Sequence, residues 1–157
     1  MKKDVNIYIE CQLKGPQRKT AKYGYVMEFV ERDGSAHTLT EIGCMRNTTA
    51  QRLVVAAVAR ALGRINAKSR ICIYTDSQYF QNAIMQCWMY DWEAAGWKNA
   101  RGKKVANADI WKMVMDLEEG HDITVCRQAI HQYSAWLMDE MGKMDVEPGK
   151  SRIILPE

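Results

Sequence analysis

The chain has 157 residues, a length typical of a single domain, and 47% of them are apolar while 26% are charged. Its 22 basic and 19 acidic side chains leave a formal net charge of +3, which by itself indicates no class of partner. Length and composition exclude a collagen, a coiled-coil rod and a disordered tail. No apolar run approaches the roughly 18 residues of a transmembrane helix, and polar residues interrupt the N-terminal stretch, so neither a membrane span nor a signal peptide is expected.

Cysteine usage points to a reducing compartment. The five cysteines are scattered and form neither a CxxC pair nor a Cys/His cluster with zinc spacing. We therefore expect them to be small buried side chains in a cytoplasmic protein. They are Cys11, Cys44, Cys72, Cys87 and Cys126.

Three strands are predicted at the start of the chain. Alternating polarity and β-branched residues predict strands over 5–13, 21–31 and 37–45. The Asp33–Gly34 pair between the second and third strands is a hairpin signal. This opening is typical of an antiparallel meander.

The pattern then changes to alternating helices and strands. Apolar residues at helical spacing predict a helix over 50–66, with Thr48 or Thr49 as its cap. The remaining predictions are a strand over 70–76, a helical region over 77–97 with room for one break, a helix over 107–120 capped by Asn107, a strand over 122–129 and a helix over 132–144. The order predicts an α/β fold with a five-stranded mixed sheet flanked by helices. The domain would span 1–144, with a loosely attached tail over 145–157.

Two carboxylates stand out in this arrangement. Asp76 ends an apolar strand directly before Ser77, at the sheet edge where open α/β folds bind ligands. It is either a site residue or an ordinary helix cap. Glu10 interrupts the first strand, where burial would require a partner or a bound cation. The alternative is that Glu10 is exposed.

Residues 88–111 combine four tryptophans with a cationic loop. Trp88 and Trp92 are four residues apart on one helix face, and we expect at least two of the four tryptophans to pack in the core. The loop cations are Lys98, Arg101, Lys103 and Lys104, which surround Gly102. Clustered cations beside aromatic rings suit a phosphate backbone, although a generic charged loop is the alternative.

Together these segments resemble type 1 ribonuclease H over roughly residues 4–141. The resemblance rests on VNIYIE (5–10) followed by YGY (23–25), on YTDSQYF (74–80) and on WKNARGKKVANADIW (97–111). The last segment is similar to the basic protrusion and following helix of bacterial members. The resemblance implies a ribonuclease H-like fold and hydrolysis of the RNA strand of RNA–DNA hybrids by two Mg²⁺ ions bound to four acidic residues.

When the four acidic positions of the family are matched to this sequence, the resemblance places an acidic residue at two of them. Glu10 stands where the family has its first Asp, and Asp76 matches the third position. Leu53 and Ala135 stand at the second and fourth positions, and neither has an oxygen ligand in its side chain. The resemblance therefore implies catalytic and metal-binding residues Glu10 and Asp76, and hydrolysis that is impaired or lost.

Three further residues bear on the metal site. Asp139 and Glu41 are candidates to supply a missing ligand, and His131 lies near the site in the resemblance. With such help the chain would be an active, divergent ribonuclease H that requires Mg²⁺ or Mn²⁺. Without it, no cofactor is expected.

The resemblance preserves more of the nucleic-acid-binding positions. Thr48 and Asn107 match residues that hold a DNA phosphate, Gln78 matches a minor-groove contact, and Trp88 matches an aromatic residue of the DNA channel. Lys98, Arg101, Lys103 and Lys104 match the basic protrusion. Thr49 and Ala50 replace the Asn pair that contacts RNA, which leaves hybrid selectivity open. The hypothesis is a monomer that binds RNA–DNA hybrid or duplex, with a fold reused for protein contacts as a further alternative.

Overall fold

The computed structural model describes residues 2–154 and contains the predicted elements in the predicted order, with one strand added. The first half comprises β1 (Lys3–Cys11), β2 (Lys19–Val30), β3 (Ala36–Thr48), α1 (Ala50–Leu62) and β4 (Ser69–Thr75). The second half comprises α2 (Gln78–Met85), α3 (Trp88–Ala94), α4 (Ala108–Glu118), β5 (Asp122–Arg127), α5 (Ser134–Lys143) and β6 (Ser151–Ile154).

The strands form one mixed sheet in the order β5-β4-β1-β2-β3-β6. The predicted meander of β1, β2 and β3 is antiparallel, and β4 and β5 run parallel to β1. The sheet has six strands rather than the expected five, because Ser151–Ile154 pairs antiparallel with β3. This strand has two polar residues followed by two apolar ones and therefore lacks the alternation that predicts a strand, so the segment after 144 gave no signal of this pairing.

Helices cover both faces of the sheet. On one face, α1 to α4 enclose the main core, in which Ile7, Ile9 and Val55 are fully or almost fully buried. On the other face, α5 buries Leu137 and Met141 against a smaller apolar cluster. Gly24, paired with Glu10, admits α5 because a Cβ there would lie 3.2 Å from Cδ2 of Leu137. The sheet therefore brings α5 close to Glu10.

Local chemistry explains where the helices begin and end. Thr49 caps α1, since its Oγ1 accepts a hydrogen bond from the Arg52 amide at 3.2 Å, which resolves the choice between Thr48 and Thr49. The predicted helical region 77–97 divides at Cys87, whose φ of 57° ends the regular helix. Asn107 occupies the N-cap position of α4 but forms no side-chain cap, which corrects the predicted capping bond.

The four tryptophans pack against the main core, in agreement with the expectation for at least two of them. Trp111 is fully buried and its indole N–H donates to the Tyr79 hydroxyl at 2.7 Å. Trp88, Trp92 and Trp97 are half-buried, and their rings contact one another in sequence. These rings fasten the basic loop to the domain.

All five cysteines are free. Cys11 and Cys44 are buried as expected, whereas Cys72 and Cys126 are half-buried. The expectation of burial is wrong for Cys87, which is exposed at the junction of α2 and α3. Among residues 2–154, no helix has the length and apolar character needed to cross a membrane.

Candidate functional site

The two predicted carboxylates meet at the carboxyl edge of the central strands. β1 and β4 are parallel neighbours paired through Tyr8 and Tyr74, and Glu10 and Asp76 each follow two residues later. Glu10 is only 6% exposed, so it is buried, and the alternative of an exposed Glu10 is excluded. Ser77, rather than Asp76, caps α2, since its Oγ accepts a hydrogen bond from the Phe80 amide at 3.1 Å. The Asp76 carboxylate is therefore not used as a helix cap.

Lys14 joins the two carboxylates. It lies in the loop after β1, and its Nζ donates to Oε1 of Glu10 at 2.9 Å and to Oδ2 of Asp76 at 2.8 Å. Burial acts to lower the pKa of Lys14, but the hydrogen bonds to Asp76 and Glu10 outweigh this effect and raise it above its ordinary value. The ammonium group therefore stays charged between the two acids.

Ser134 holds the other oxygen of Glu10. Its hydroxyl, at the first residue of α5, donates to Oε2 at 2.6 Å. His131 lies beside this pair, with Nε2 3.8 Å from Oε2 of Glu10. That Nε2 hydrogen-bonds the Ile9 carbonyl at 2.8 Å, while Nδ1 accepts from the Tyr133 amide at 3.2 Å. Both ring nitrogens are engaged, so His131 ties the start of α5 to β1.

The two residues that the resemblance places at the other acidic positions have no oxygen in their side chains. Leu53 is fully buried in the main core. Ala135 is exposed on α5, one residue beyond Ser134, which contacts Glu10 instead. The first turn of α5 therefore brings the hydroxyl of Ser134 to Glu10, at the position where the resemblance placed Ala135.

Neither candidate substitute ligand contacts the pair, since Asp139 and Glu41 have other partners. The Asp139 side chain is 65% exposed and pairs with Lys143 at 3.1 Å, because α5 turns it away from the sheet. Glu41 is buried on the α1 face, where Arg60 and Arg64 bind it at 2.7 and 3.0 Å. Side chains alternate between sheet faces, so this face is opposite that of Glu10.

The residues present do not fit two divalent metal ions. Over residues 2–154, no group of three or more His, Cys, Asp or Glu side chains is arranged to hold a metal. Both oxygens of Glu10 accept hydrogen bonds, and one oxygen of Asp76 accepts from Lys14. Mg²⁺ binds proteins through carboxylate oxygens and water molecules, and here the Lys14 ammonium group occupies one oxygen of each of the two carboxylates.

A second group of predicted residues lies where α1 and α4 begin. Thr48 is buried at the end of β3, and Asn107 has a left-handed φ of 63° immediately before α4. Arg52 connects the two helices, since it donates to both carboxylate oxygens of Asp109 at 2.9 and 2.8 Å and to Oδ1 of Asn107 at 3.4 Å. The hydrogen bond from Arg52 lowers the pKa of Asp109 to about 2.

A cleft lies between the start of α1 and the start of α2, beside Asp76. Its lining includes Lys14, Ala50, Asp76 and Gln78, and its volume is about 260 Å³. Gln78 is exposed in the first turn of α2. Trp88 is farther along this side, with its ring 6.3 Å from that of Tyr79, which also lines the cleft.

The basic loop is a hydrogen-bonded turn rather than a loose segment. Oδ1 of Asn99 accepts from the amides of Arg101 and Lys103 at 2.9 and 3.1 Å, and Lys98 pairs with Lys104 in an antiparallel bridge. Gly102 takes the left-handed φ of 75° that the turn needs. Lys98, Arg101, Lys103 and Lys104 are all exposed, and within the described part of the chain none of them forms a salt bridge.

Three residues that shape the site were missed in the sequence: Lys14, Ser134 and Arg52. Lys14 comes four residues after Glu10, but it follows the end of a strand, where spacing predicts no contact. Ser134 and Arg52 act across 124 and 57 residues of sequence. No local pattern signals contacts over such separations.

Comparison with known proteins supports the topology. The RNase H family model matches residues 2–132. A ribonuclease H of Syntrophomonas wolfei is 32% identical over 135 residues, which are 85% of this chain and 88% of that protein. A ribonuclease H of Lachnoclostridium phytofermentans is 28% identical over 122 residues, 78% of this chain and 77% of that protein.

Two solved structures share the fold. LC9-RNase H1, described as a type 1 RNase H with the type 2 active-site motif, has a TM-score of 0.71 at 21% identity, covering 90% of this chain and 74% of its own. The foamy viral protease–reverse transcriptase in complex with RNA/DNA hybrid has a TM-score of 0.59 at 18% identity, covering 86% of this chain and 19% of its own. The sheet order and the match over residues 2–132 lead to one conclusion: the chain belongs to the RNase H family.

Proposed function

We propose that the protein binds RNA–DNA hybrid or a related duplex along the carboxyl edge of its sheet, with hydrolysis of the RNA strand impaired or lost. The observation that carries the proposal is the Lys14 ammonium between Glu10 and Asp76, at a site that lacks its other two acids. The relatives named ribonuclease H, and the reverse transcriptase described with an RNA/DNA hybrid, support the substrate class.

The loss of hydrolysis follows from ligand chemistry. A two-metal mechanism needs several hard oxygen ligands that hold two ions roughly 4 Å apart. Leu53 contributes no oxygen, and Ser134 contributes a neutral hydroxyl that is already bonded to Glu10. Two carboxylates shared with one ammonium group are too few donors and too little negative charge for a pair of divalent ions.

The binding of nucleic acid follows from what remains at the same edge. Asn107 is half-buried at the start of α4, and a side-chain amide is a typical phosphate donor. Thr48 ends β3, but it is buried and its hydroxyl donates to the Thr49 carbonyl at 3.2 Å. Gln78 and Trp88 extend this surface along α2 and α3. The four exposed cations of the basic loop add a positive charge that no carboxylate of the described residues neutralises.

The test separates binding from cleavage. A labelled RNA–DNA hybrid is titrated with the protein in EDTA, and hydrolysis is then followed in Mg²⁺ and in Mn²⁺. We expect saturable binding without metal and little or no cleavage with either ion. Robust cleavage that disappears in Asp76→Asn would instead identify an active, divergent ribonuclease H.

Selectivity, location and oligomeric state complete the proposal. Competition with double-stranded DNA and RNA of the same sequence measures hybrid preference, which the replacement of the Asn pair by Thr49 and Ala50 should weaken.

The free cysteines fit a reducing cytoplasm. We expect a monomer, and light scattering measures its mass. A selective, dimeric protein would contradict this part of the proposal.

A further inference from the structure

We infer that the ammonium group of Lys14 takes the place of a bridging metal ion between Glu10 and Asp76. It thereby keeps divalent ions from binding this pair of carboxylates. The inference deepens the proposed function and rests on it only in taking this pair as the site. Its basis is the position of one ammonium group within 2.9 Å of Oε1 of Glu10 and 2.8 Å of Oδ2 of Asp76. A bridging cation would lie in the same place.

The backbone holds Lys14 in this position. Leu13, the residue before it, is buried in the main core. Gln12 is bound twice to Lys22, because its amide donates to the Lys22 carbonyl at 2.9 Å and its Oε1 accepts from the Lys22 amide at 3.0 Å. The loop is therefore fastened immediately before Lys14, which keeps the ammonium group within reach of both acids.

The charges explain why a metal would be excluded. Lys14 neutralises one of the two negative charges, and it occupies an oxygen of each carboxylate. The second oxygen of Glu10 accepts from Ser134. A divalent ion would have to displace Lys14 and then rely on two carboxylates, since Leu53 and Ala135 offer no side-chain oxygen. In the natural protein, the two ion pairs of Lys14 make this exchange unfavourable. Without Lys14, the two carboxylates are open to a divalent ion whose other ligands are water molecules.

The experiment removes the internal cation and asks whether a metal replaces it. Thermal unfolding of the full chain is measured in EDTA and in MnCl₂ for the natural protein, Lys14→Met and Lys143→Met. Lys143 is the matched control, because it also bridges two carboxylates, Asp139 at 3.1 Å and Glu140 at 3.4 Å, but on the exposed side of α5.

The expected result is specific to Lys14. In EDTA, Lys14→Met unfolds at a lower temperature, since two neighbouring carboxylates lose their cation. Mn²⁺ at ten times its Kd for the variant raises the Tm of Lys14→Met by about 3 °C or more. The natural protein and Lys143→Met do not respond, and the response of Lys14→Met disappears when Asp76→Asn is added.

Two results would overturn the inference. One is a Tm of the natural protein that rises with Mn²⁺ as much as that of Lys14→Met; the other is a Lys14→Met variant that ignores Mn²⁺. Should Lys14→Met fail to fold, Mn²⁺ line broadening in the natural protein decides: broadened amide signals of Glu10 and Asp76 contradict the inference, and unaffected signals support it. Binding of the RNA–DNA hybrid in EDTA is measured separately. A protein that does not bind the hybrid would overturn the proposed function, but the conclusion from the Mn²⁺ experiment would be unaffected.

Discussion

The hydroxyl of Ser134 donates to the buried carboxylate of Glu10 over 2.6 Å, and so joins the first turn of α5 to β1. We predict that Ser134→Ala lowers the free energy of unfolding by about 1–3 kcal/mol, because it leaves a buried carboxylate oxygen without its donor. Urea unfolding at pH 7 measures the change. Ser134→Thr retains the hydroxyl, and its free energy of unfolding should decrease much less. Equal losses in the two variants would mean that packing, rather than the hydrogen bond, stabilises this contact.

The Glu41 cluster predicts how stability depends on pH. Burial acts to raise the pKa of Glu41, but hydrogen bonds from Arg64, Ser151, Tyr25 and Arg60 outweigh it and lower the pKa to about 2. Because the folded pKa lies below the unfolded value, the stabilisation is complete above pH 4.5 and is lost as the pH falls towards 2.

Glu41→Gln tests this dependence. The shift corresponds to about 3 kcal/mol, so the natural protein should lose about that much more stability than the variant between pH 5 and pH 2. Urea midpoints at a series of pH values provide the comparison. Parallel curves for the two proteins would show that Glu41 does not titrate in this window.

The basic loop predicts a salt-dependent contribution to binding. Lys103→Ala combined with Lys104→Ala should weaken hybrid binding and reduce the slope of log K against log salt by about 1 to 2, because each lysine releases counterions from a phosphate. Fluorescence anisotropy between 50 and 200 mM salt measures the slope. Lys2→Ala with Lys3→Ala removes the same number of positive charges where β1 begins, at the end of the strand away from Glu10, and should leave the slope nearly unchanged although it breaks the Lys2–Asp122 ion pair. Equal slopes in both double variants would exclude the loop from the interface.

Arg52 is held by Asp109 beside the positions expected to bind phosphate. Asp109→Asn removes a negative charge and releases the guanidinium group, so hybrid affinity at low salt should rise several-fold. Arg52→Gln should lower it, since Asp109 would then repel phosphate without a partner. The same anisotropy titration compares the two variants. Changes of the same sign in both would show that this pair acts through stability and not through charge.

Local signals in the sequence were sufficient for the order of elements. Alternation in β1 to β3 and helical spacing in α1 and α4 arise from which side of an element faces the core, and this periodicity is visible in a single chain. β6 was not predicted because its residues, Ser-Arg-Ile-Ile, do not alternate and the strand depends on pairing with β3. Asn107 was placed correctly at the start of α4, although its bond to Arg52 depends on a residue of another helix.

By itself, the sequence determined the α/β architecture and the resemblance to ribonuclease H, and that resemblance implied Glu10 and Asp76 as site residues, with Leu53 and Ala135 at the other two acidic positions. Only the tertiary structure decided what surrounds those acids: Lys14 bridges them, Ser134 binds Glu10, and Asp139 and Glu41 are directed elsewhere. The physical reason is that periodicity encodes which face of an element is buried, whereas the partner of a charged group depends on which loops and strands meet at one edge of the sheet.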